Sequence, residues 1–325
     1  MVKKKLREID HLVVRYHRGI LTDKNQRKRM IHLQKGLLGE SEIVKLLKRF
    51  LPISWLMLQN VWLEIDGSQT EVDILIIGPK FWWVIEVKNY EGNFDYRGNR
   101  CYLNQKQFPD QISACRNRVR IVEHIASKML HRQPSVYCSI VFANELCQVT
   151  TESEIDYPLV MRYQFLRHVK EMLAIQQQLK GYTKVEDSLY MLQQYETDSP
   201  FKPQEIDLEL LENAVKGIQC PKCNGFELRD VHRYFVCNSC QHQFSKEESV
   251  LRTACELGVL YFNHPKIITT KNVWELCGGM VSKRSISKVL YQQFKMYNKN
   301  RGTYYHNNAL PYDFFIENSS HKDKM

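Results

Sequence analysis

The sequence predicts a layered α/β domain followed by a small four-cysteine module and a basic helical C-terminal segment. Three observations carry that expectation. An amphipathic helical pattern is followed by three extended apolar runs, a second helix and a further strand; two C-x₂-C pairs stand thirteen residues apart; and the last third of the chain holds a stretch with Lys and Arg but no acid. At 325 residues the chain has room for about two domains. No window approaches the roughly 20 uncharged apolar residues that cross a bilayer, and no apolar stretch of secretory length follows the basic start. The expected location is the cytoplasm, with no membrane partner.

Taken in order, residues 36–50 place Leu37, Ile43, Val44, Leu47 and Phe50 at helical spacing. Extended runs at 56–65, 71–78 and 81–88 follow, separated by the turn signals Asp66-Gly67-Ser68 and Gly78-Pro79-Lys80. A stretch with Gly92 and Gly98 leads to a helix at 110–131 and the strand Ser135–Phe142. Helix, meander, helix, strand is an α/β layered order. Residues 162–198 read as largely helical, and Pro200 and Pro203 mark a linker. The expected organisation is a basic N-terminal arm at 1–35, a first domain at 36–200 with a helical extension, a cysteine module at 217–244, and a basic helical or helix-turn-helix-like domain at 245–325.

The net charge of +10 is unevenly spread. Residues 1–35 carry eleven Lys or Arg against three acids, and 276–312 carry six and none, whereas 145–213 hold thirteen acids against six bases. Basic ends around an acidic middle point to a polyanionic partner. Of the ten cysteines, Cys101, Cys115, Cys138, Cys147, Cys255 and Cys277 are scattered. They fit a reducing compartment and read as small buried hydrophobes.

Charged residues interrupt the two most apolar strands. If 71–78 and 81–88 form a symmetric hairpin, opposed residue numbers sum to 159 and Asp73 faces Glu86. Two carboxylates about 5 Å apart destabilise a sheet unless a cation neutralises them. Lys88, two residues past Glu86, projects from the same face. That face also carries Leu75, Ile77, Trp82 and Val84, and the other carries Val72, Ile74, Ile76, Trp83, Ile85 and Val87, so the pair is expected to be covered on both sides. Hard oxygen ligands suit Mg²⁺ or Mn²⁺ better than zinc. Glu40, three residues after Leu37, points along the buried stripe of its helix, and Glu42 does not. Taken singly, each has a structural explanation: a strand-end acid, an ion pair, an acid near a helix N-terminus. Together they make a hydrolytic metal site.

Gly36-Leu37-Leu38-Gly39-Glu40, Val72-Asp73 and Glu86-Val87-Lys88 resemble the G-x-x-G-E, D and E-x-K elements of the nuclease-related domain, NERD, a branch of the PD-(D/E)XK nuclease superfamily, over about residues 30–145. The resemblance implies a PD-(D/E)XK-like core in which Asp73 and Glu86 hold Mg²⁺ or Mn²⁺. Lys88 would orient the attacking water or stabilise charge, and Glu40 would complete the acidic cluster. Asn89 to Gly92 resembles the family's continuation, whereas the superfamily's Pro before the Asp is Val72 here. Pro109-Asp110-Gln111 resembles the family's Pro and Gln, which adds Gln111 as a candidate. The implied activity is metal-dependent phosphodiester hydrolysis, in DNA processing or repair. The alternatives are a catalytically inactive DNA-binding or regulatory protein on a nuclease fold and an adaptor for other repair factors. His11, His17, His32, His124 and His131 show no catalytic arrangement.

Cys220, Cys223, Cys237 and Cys240 have the spacing of a tetrahedral Zn²⁺ site, with strands expected at 226–228 and 233–236 as a zinc ribbon. Four ligands leave no open position, so this zinc would be structural; His242 is a fallback ligand. Arg229, His232, Arg233 and Tyr234 are candidates for nucleic-acid contact, and such a ribbon equally serves protein partners. Beyond it, 269–276 reads as a short helix ended by Gly278-Gly279, and Ser282 caps a second. Ile286, Val289, Leu290 and Phe294 would face inward, and Lys283, Arg284, Ser287 and Lys288 outward. The pattern resembles a helix-turn-helix, with Arg301–Tyr305 as a wing. Lys283, Arg284, Lys288 and Arg301 are the candidate phosphate contacts.

Overall fold

The computed structural model describes residues 7–129, 133–152, 154–201, 212–298 and 302–306. It is a mixed α/β structure that divides into two compact units, Lys35–Ser199 and the combination of Met1–Gln34 with Pro200–Met325.

In Lys35–Ser199 the strands β1 (Leu56–Ile65), β2 (Ser68–Ile77) and β3 (Phe81–Lys88) form the expected antiparallel meander. Asp66 and Gly67 both take positive φ, 51° and 74°, as a tight hairpin between twisted strands requires. β4 (Gly92–Arg97), β5 (Arg100–Leu103) and β6 (Lys106–Phe108) follow. Helix α3 (Gln111–Ser127) then returns the chain to β7 (Ser135–Phe142), which lies parallel to β3. β8 (Cys147–Thr151) and β9 (Leu159–Met161) complete two sheets, ordered β1-β2-β3-β7-β9 and β6-β5-β4-β8.

Both faces of β2 and β3 are buried, because each strand carries apolar residues at even and odd positions. Helix α2 (Lys24–Phe50) brings Ile43, Val44 and Leu47 onto Ile74, Ile76, Phe81, Trp83 and Ile85, and α4 (Phe165–Gln178) adds Phe165, Val169 and Met172. On the other face Ile112, Cys115, Val119 and Val122 of α3 pack on Leu75, Ile77, Trp82 and Val84 with Leu192 of α5 (Val185–Tyr195). The two tryptophans are buried on opposite faces, and each indole N–H finds a hydroxyl, Trp82 to Ser188 at 3.2 Å and Trp83 to Ser139 at 2.9 Å. Burying side chains this large contributes roughly 3 kcal/mol apiece.

Val72 departs from expectation. Strict alternation puts it with Ile74, but it packs in the cluster of Leu75 and Ile77. Its partner strand shifts in the same place, where Leu56 and Leu58 are followed by Val61 and Leu63 in that cluster. Asn60, which stands between the pairs Gln59↔Ile74 and Val61↔Val72, has φ 52°. One left-handed residue flips the alternation of both strands opposite Asp73.

In the other unit, residues expected as a basic arm contain α1 (Glu8–His17), with Ile9, Leu12, Val13 and Val14 buried. The cysteine segment forms a three-stranded sheet, β10 (Leu228–Val231), β11 (Tyr234–Cys237) and β12 (Gln243–Ser245), where two strands at 226–228 and 233–236 were expected. Helix α6 (Lys246–Leu260) follows, its N-cap Ser245 accepting the Glu248 N–H. Helices α7 (Thr270–Leu276) and α8 (Lys283–Gln293) have the caps Thr269 and Ser282. Strands β13 (Lys295–Tyr297) and β14 (Tyr304–His306) form a hairpin, and the Tyr305 N–H reaches Ile268 O at 2.8 Å.

The interior of this unit holds an Arg–Glu–Arg triad. Glu256 accepts from Arg18 on one carboxylate oxygen and from Arg252, at 2.8 Å, on the other. Arg18 also donates to Val215 O and Gly217 O, and Arg252 to Cys220 O, Gln219 and Asn224. Burial works to raise the Glu256 carboxyl, but Arg18 and Arg252 outweigh it and hold its pKa below the usual carboxylate range.

Candidate active site and cysteine cluster

The β2–β3 ladder runs from Ile77↔Trp82 to Ile74↔Ile85, with opposed numbers summing to the expected 159. It stops one residue short of Asp73 and Glu86, so these two are not a ladder pair. Asp73 Oδ2 instead accepts the Val87 N–H at 2.8 Å. A side-chain carboxylate thus replaces a backbone acceptor, and the sheet opens at Asp73 towards β3 as it does towards Asn60 on β1.

Glu86 is 1% exposed. Its Oε1 accepts from Lys88 Nζ at 2.6 Å and lies 3.2 Å from Arg118 Nη1 of α3. Its Oε2 is buried and, among the described residues, makes no hydrogen bond. Burial, followed by the charges of Glu86 and Glu40, pushes the Asp73 carboxyl well above its ordinary pKa, against the pull of Lys88 and the Val87 N–H. Burial works against the Lys88 ammonium, but Glu86, Tyr90 and Asp73 outweigh it and raise its pKa. Lys88 therefore keeps its proton at neutral pH. Burial pushes the neighbouring Tyr90 phenol up to about 12, so it stays neutral.

Glu40 reaches this centre from α2. A Cβ at Gly39 would stand 2.7 Å from Asn89 Cβ and 3.3 Å from Ala143 Cβ, closer than packed carbons come. Only glycine lets α2 approach the ends of β3 and β7 this closely. Asn89 Nδ2 donates to Lys35 O at 2.7 Å and fastens the same approach. Glu40, half-buried, contributes its charge to Asp73 from the α2 face while Glu86 does so from the α3 face.

Gln111 opens α3, and its side-chain amide donates to Pro109 O at 3.0 Å. Asp110 beside it caps the helix through the N–H groups of Ile112 and Ser113. Arg118 is the residue that sequence reasoning missed. It lies three residues after Cys115 and four before Val122, both buried, so the signal that singled out Glu40, a charge on an apolar helical stripe, also marks it.

Ser139, His168 and Glu171 stand in the order of a hydrolytic triad, with Ser139 Oγ 2.7 Å from His168 Nε2 and His168 Nδ1 3.6 Å from Glu171. Ser139 is fully buried and already takes the Trp83 N–H, so the set is a core hydrogen-bond chain closed to a substrate.

Two donor sets differ in kind. Among the described residues, Cys220, Cys223, Cys237 and Cys240 alone bring three or more potential ligands within 4.8 Å of one another. Their Sγ contacts of 3.6 Å (Cys220–Cys240) and 3.5 Å (Cys223–Cys237) are close to the edge of a tetrahedron with about 2.3 Å metal–sulfur bonds, roughly 3.8 Å. Each pair closes a knuckle in which Asn224 or Gln241 takes positive φ and returns its N–H to the first cysteine's or Cys237's carbonyl at 2.9 Å. The set is compatible with Zn²⁺ and leaves no open coordination position. The acids make no such closed cage among the described residues. Glu86 Oε2, buried and without a hydrogen bond, is the acceptor that a cation at these acids would use.

Lys283, Arg284 and Lys288 are exposed on α8. Lys283 Nζ lies 4.5 Å from the centroid of the Trp274 ring, and Lys288 Nζ is 4.0 Å from Glu247. Arg301 lies outside the described residues. Among the described residues no helix is long and apolar enough to cross a membrane.

Residues 35–143 match the family model of the nuclease-related domain. That stretch includes Glu40, Asp73, Glu86, Lys88, Gln111 and Arg118. No curated protein matches the chain. A crystal structure of a protein of unknown function, AF1548, aligns at 12% identity over 78% of this chain and 95% of that one, with a TM-score of 0.24, a likeness too loose to bear on the site.

Proposed function

From a nuclease-related domain at residues 35–143 and the acids it brings together, we propose that this protein is a metal-dependent nuclease that hydrolyses phosphodiester bonds, with DNA in processing or repair as its substrate. The observation that carries the proposal is Asp73, a carboxyl held against both Glu86 and Glu40 with the Lys88 ammonium alongside. Helix α2, the meander, α3 and β7 then form a PD-(D/E)XK-type core, in which Asp73 and Glu86 hold Mg²⁺ or Mn²⁺ and Glu40 adds to the negative field. When bound, the cation acts as a Lewis acid that activates water and offsets charge on phosphate oxygens. Lys88, protonated and fixed on Glu86, supplies a compact positive charge at the site of attack. Gln111, bonded to Pro109 O, stays a candidate for a contact made only with substrate.

The second unit is the nucleic-acid holder in this scheme. A structural zinc at the four cysteines sets a ribbon, and α6, α7, α8 and the β13–β14 hairpin follow the order of a winged helix. Lys283, Arg284, Lys288 and Arg301 supply phosphate contacts, and the ribbon is also a surface for a protein partner. The scattered free thiols support a cytoplasmic location.

The test is cleavage of a panel of duplex, single-stranded, branched and RNA substrates with Mg²⁺ or Mn²⁺. Cleavage is expected to need the cation and to fall by about 10³-fold or more in Glu86→Ala and Lys88→Ala, while salt-sensitive binding persists. Binding by wild type without cleavage of any substrate would replace this proposal with that of a regulatory DNA-binding protein.

A further inference from the structure

Arg118 approaches the acids from α3, and its Nε is committed to Glu71 O at 2.8 Å. That bond fixes the guanidinium beside Glu86, with Nη1 3.2 Å from Glu86 Oε1. Yet Nη1 is buried and, among the described residues, makes no aligned hydrogen bond, and Glu86 Oε2 is likewise buried and partnerless. An acceptor left this way costs about 1–3 kcal/mol in a folded protein. The fold therefore leaves Glu86 Oε2 without a donor, and holds Arg118 Nη1 against Oε1 as an ion pair whose N–H is not aligned on it.

A water between them donates to Oε2 and accepts from Nη1, but it brings no charge to either. A cation held at Oε2 with an anionic oxygen beside it satisfies both, and the planar guanidinium suits phosphate oxygens. The local charge agrees. Glu40 and Glu86, joined by Asp73 once a cation displaces its proton, outnumber Lys88 and Arg118, so a phosphate is favoured there only together with a divalent cation.

We propose that Arg118 Nη1 binds a non-bridging oxygen of the phosphate that enters this site, as a further catalytic residue and not solely as a support for Glu86. The proposal rests on the assignment of Asp73 and Glu86 as the cation site.

Isothermal titration of the full-length protein tests it, first with Mn²⁺ and then with inorganic phosphate on the Mn²⁺-loaded protein. Arg118→Met is expected to keep Mn²⁺ affinity within about threefold and to weaken phosphate binding by roughly 10–100-fold, the loss of one charge-assisted hydrogen bond. Single-turnover cleavage is expected to fall by about 10²–10³. Arg118→Lys, which keeps a charge beside Glu86 and so protects the fold, is expected to bind Mn²⁺ normally and still lose phosphate affinity. Phosphate binding without Mn²⁺ is expected to be weaker, since coupling between two ligands is reciprocal. If Arg118→Met loses Mn²⁺ affinity as Glu86→Ala does and recovers cleavage in excess Mn²⁺, Arg118 only orients Glu86 and the proposal falls. Unchanged phosphate affinity in both variants also overturns it. A wild type that never cuts but binds phosphate through Arg118 refutes the nuclease and leaves the anion site standing. Equal cleavage by wild type and Arg118→Met does the reverse.

Discussion

The thiolates of the cysteine cluster come from two short loops and lie within 4.8 Å of one another, whereas Glu40, Asp73 and Glu86 come from a helix and two strands and form no group that tight. The thiolate set completes a metal's coordination by itself. Among the described residues the acid set leaves Glu86 Oε2 without a hydrogen bond and Arg118 Nη1 paired by charge to Oε1 but without an aligned hydrogen bond. A closed set can only hold structure together, because nothing further can bind there. An open set leaves a buried polar atom in a costly state that a bound ion or ligand would relieve, which is what the proposed hydrolytic site requires.

If that contrast is right, metal removal separates the two regions. Chelation, or Cys220→Ser, is expected to remove folding of the cysteine sheet outright, since zinc binding in such clusters contributes on the order of 10 kcal/mol. Thermal melts followed by zinc content should lose the transition of the cysteine-bearing unit and keep that of Lys35–Ser199. Survival of the zinc-free sheet with unchanged stability would make the four thiols ordinary core residues.

The Arg–Glu–Arg triad sharpens the same contrast at a smaller scale. Arg252 joins Glu256 to Cys220 O and Asn224, so Arg252→Met leaves a buried carboxylate with one cation fewer and loosens the first knuckle. Denaturant unfolding is expected to show a loss of about 3–5 kcal/mol, together with weaker zinc retention. A neutral result would mean that the triad and the knuckle are energetically separate.

His11 gives a pH-dependent counterpart. Burial, helped by the charge of Arg15, lowers its pKa from 6.5 to about 4, and its Nε2 is buried without a partner among the described residues. Between those values the unfolded chain binds a proton that the folded chain refuses. Stability should therefore fall as pH drops from 6.5 towards 4, by up to about 3 kcal/mol. Unfolding measured across that window should flatten in His11→Phe.

How much of this was legible depended on how local each signal is. The C-x₂-C pairs, the Asp66-Gly67 turn and the cap Ser282 depend on residues close in sequence, and they appear where expected. The register of β2 on β3 was readable because a symmetric loop leaves little choice. The break at Asp73 was not, because it depends on the left-handed Asn60 of another strand. Strands β4 to β6 are short and mixed in polarity and gave no periodic signal, and α6 was passed over although Ser245 and Glu248 mark its start. Arg118 carries the same helical-stripe signal as Glu40, but that signal does not say which strand α3 covers, so its place beside Glu86 was not readable.

Asp73 reverses the sign expected at the cysteines and the triad. In the folded protein the Asp73 carboxyl holds its proton to a pH well above its ordinary pKa, chiefly through burial and then through Glu86 and Glu40. A raised carboxylate pKa means that folding favours the neutral form, so stability is lost as pH rises from the unfolded value towards the folded one. Asp73→Asn removes that charge and keeps an oxygen to accept the Val87 N–H. The variant should therefore melt higher than wild type at neutral pH, with a shallower dependence on pH, while losing cation binding and cleavage. The same neutralisation at a thiolate of the cysteine cluster should lower the melting temperature instead. A lower melting temperature for Asp73→Asn in the absence of divalent cation would mean that Asp73 is a structural acid, and that the opening in the sheet serves the fold before it serves any reaction.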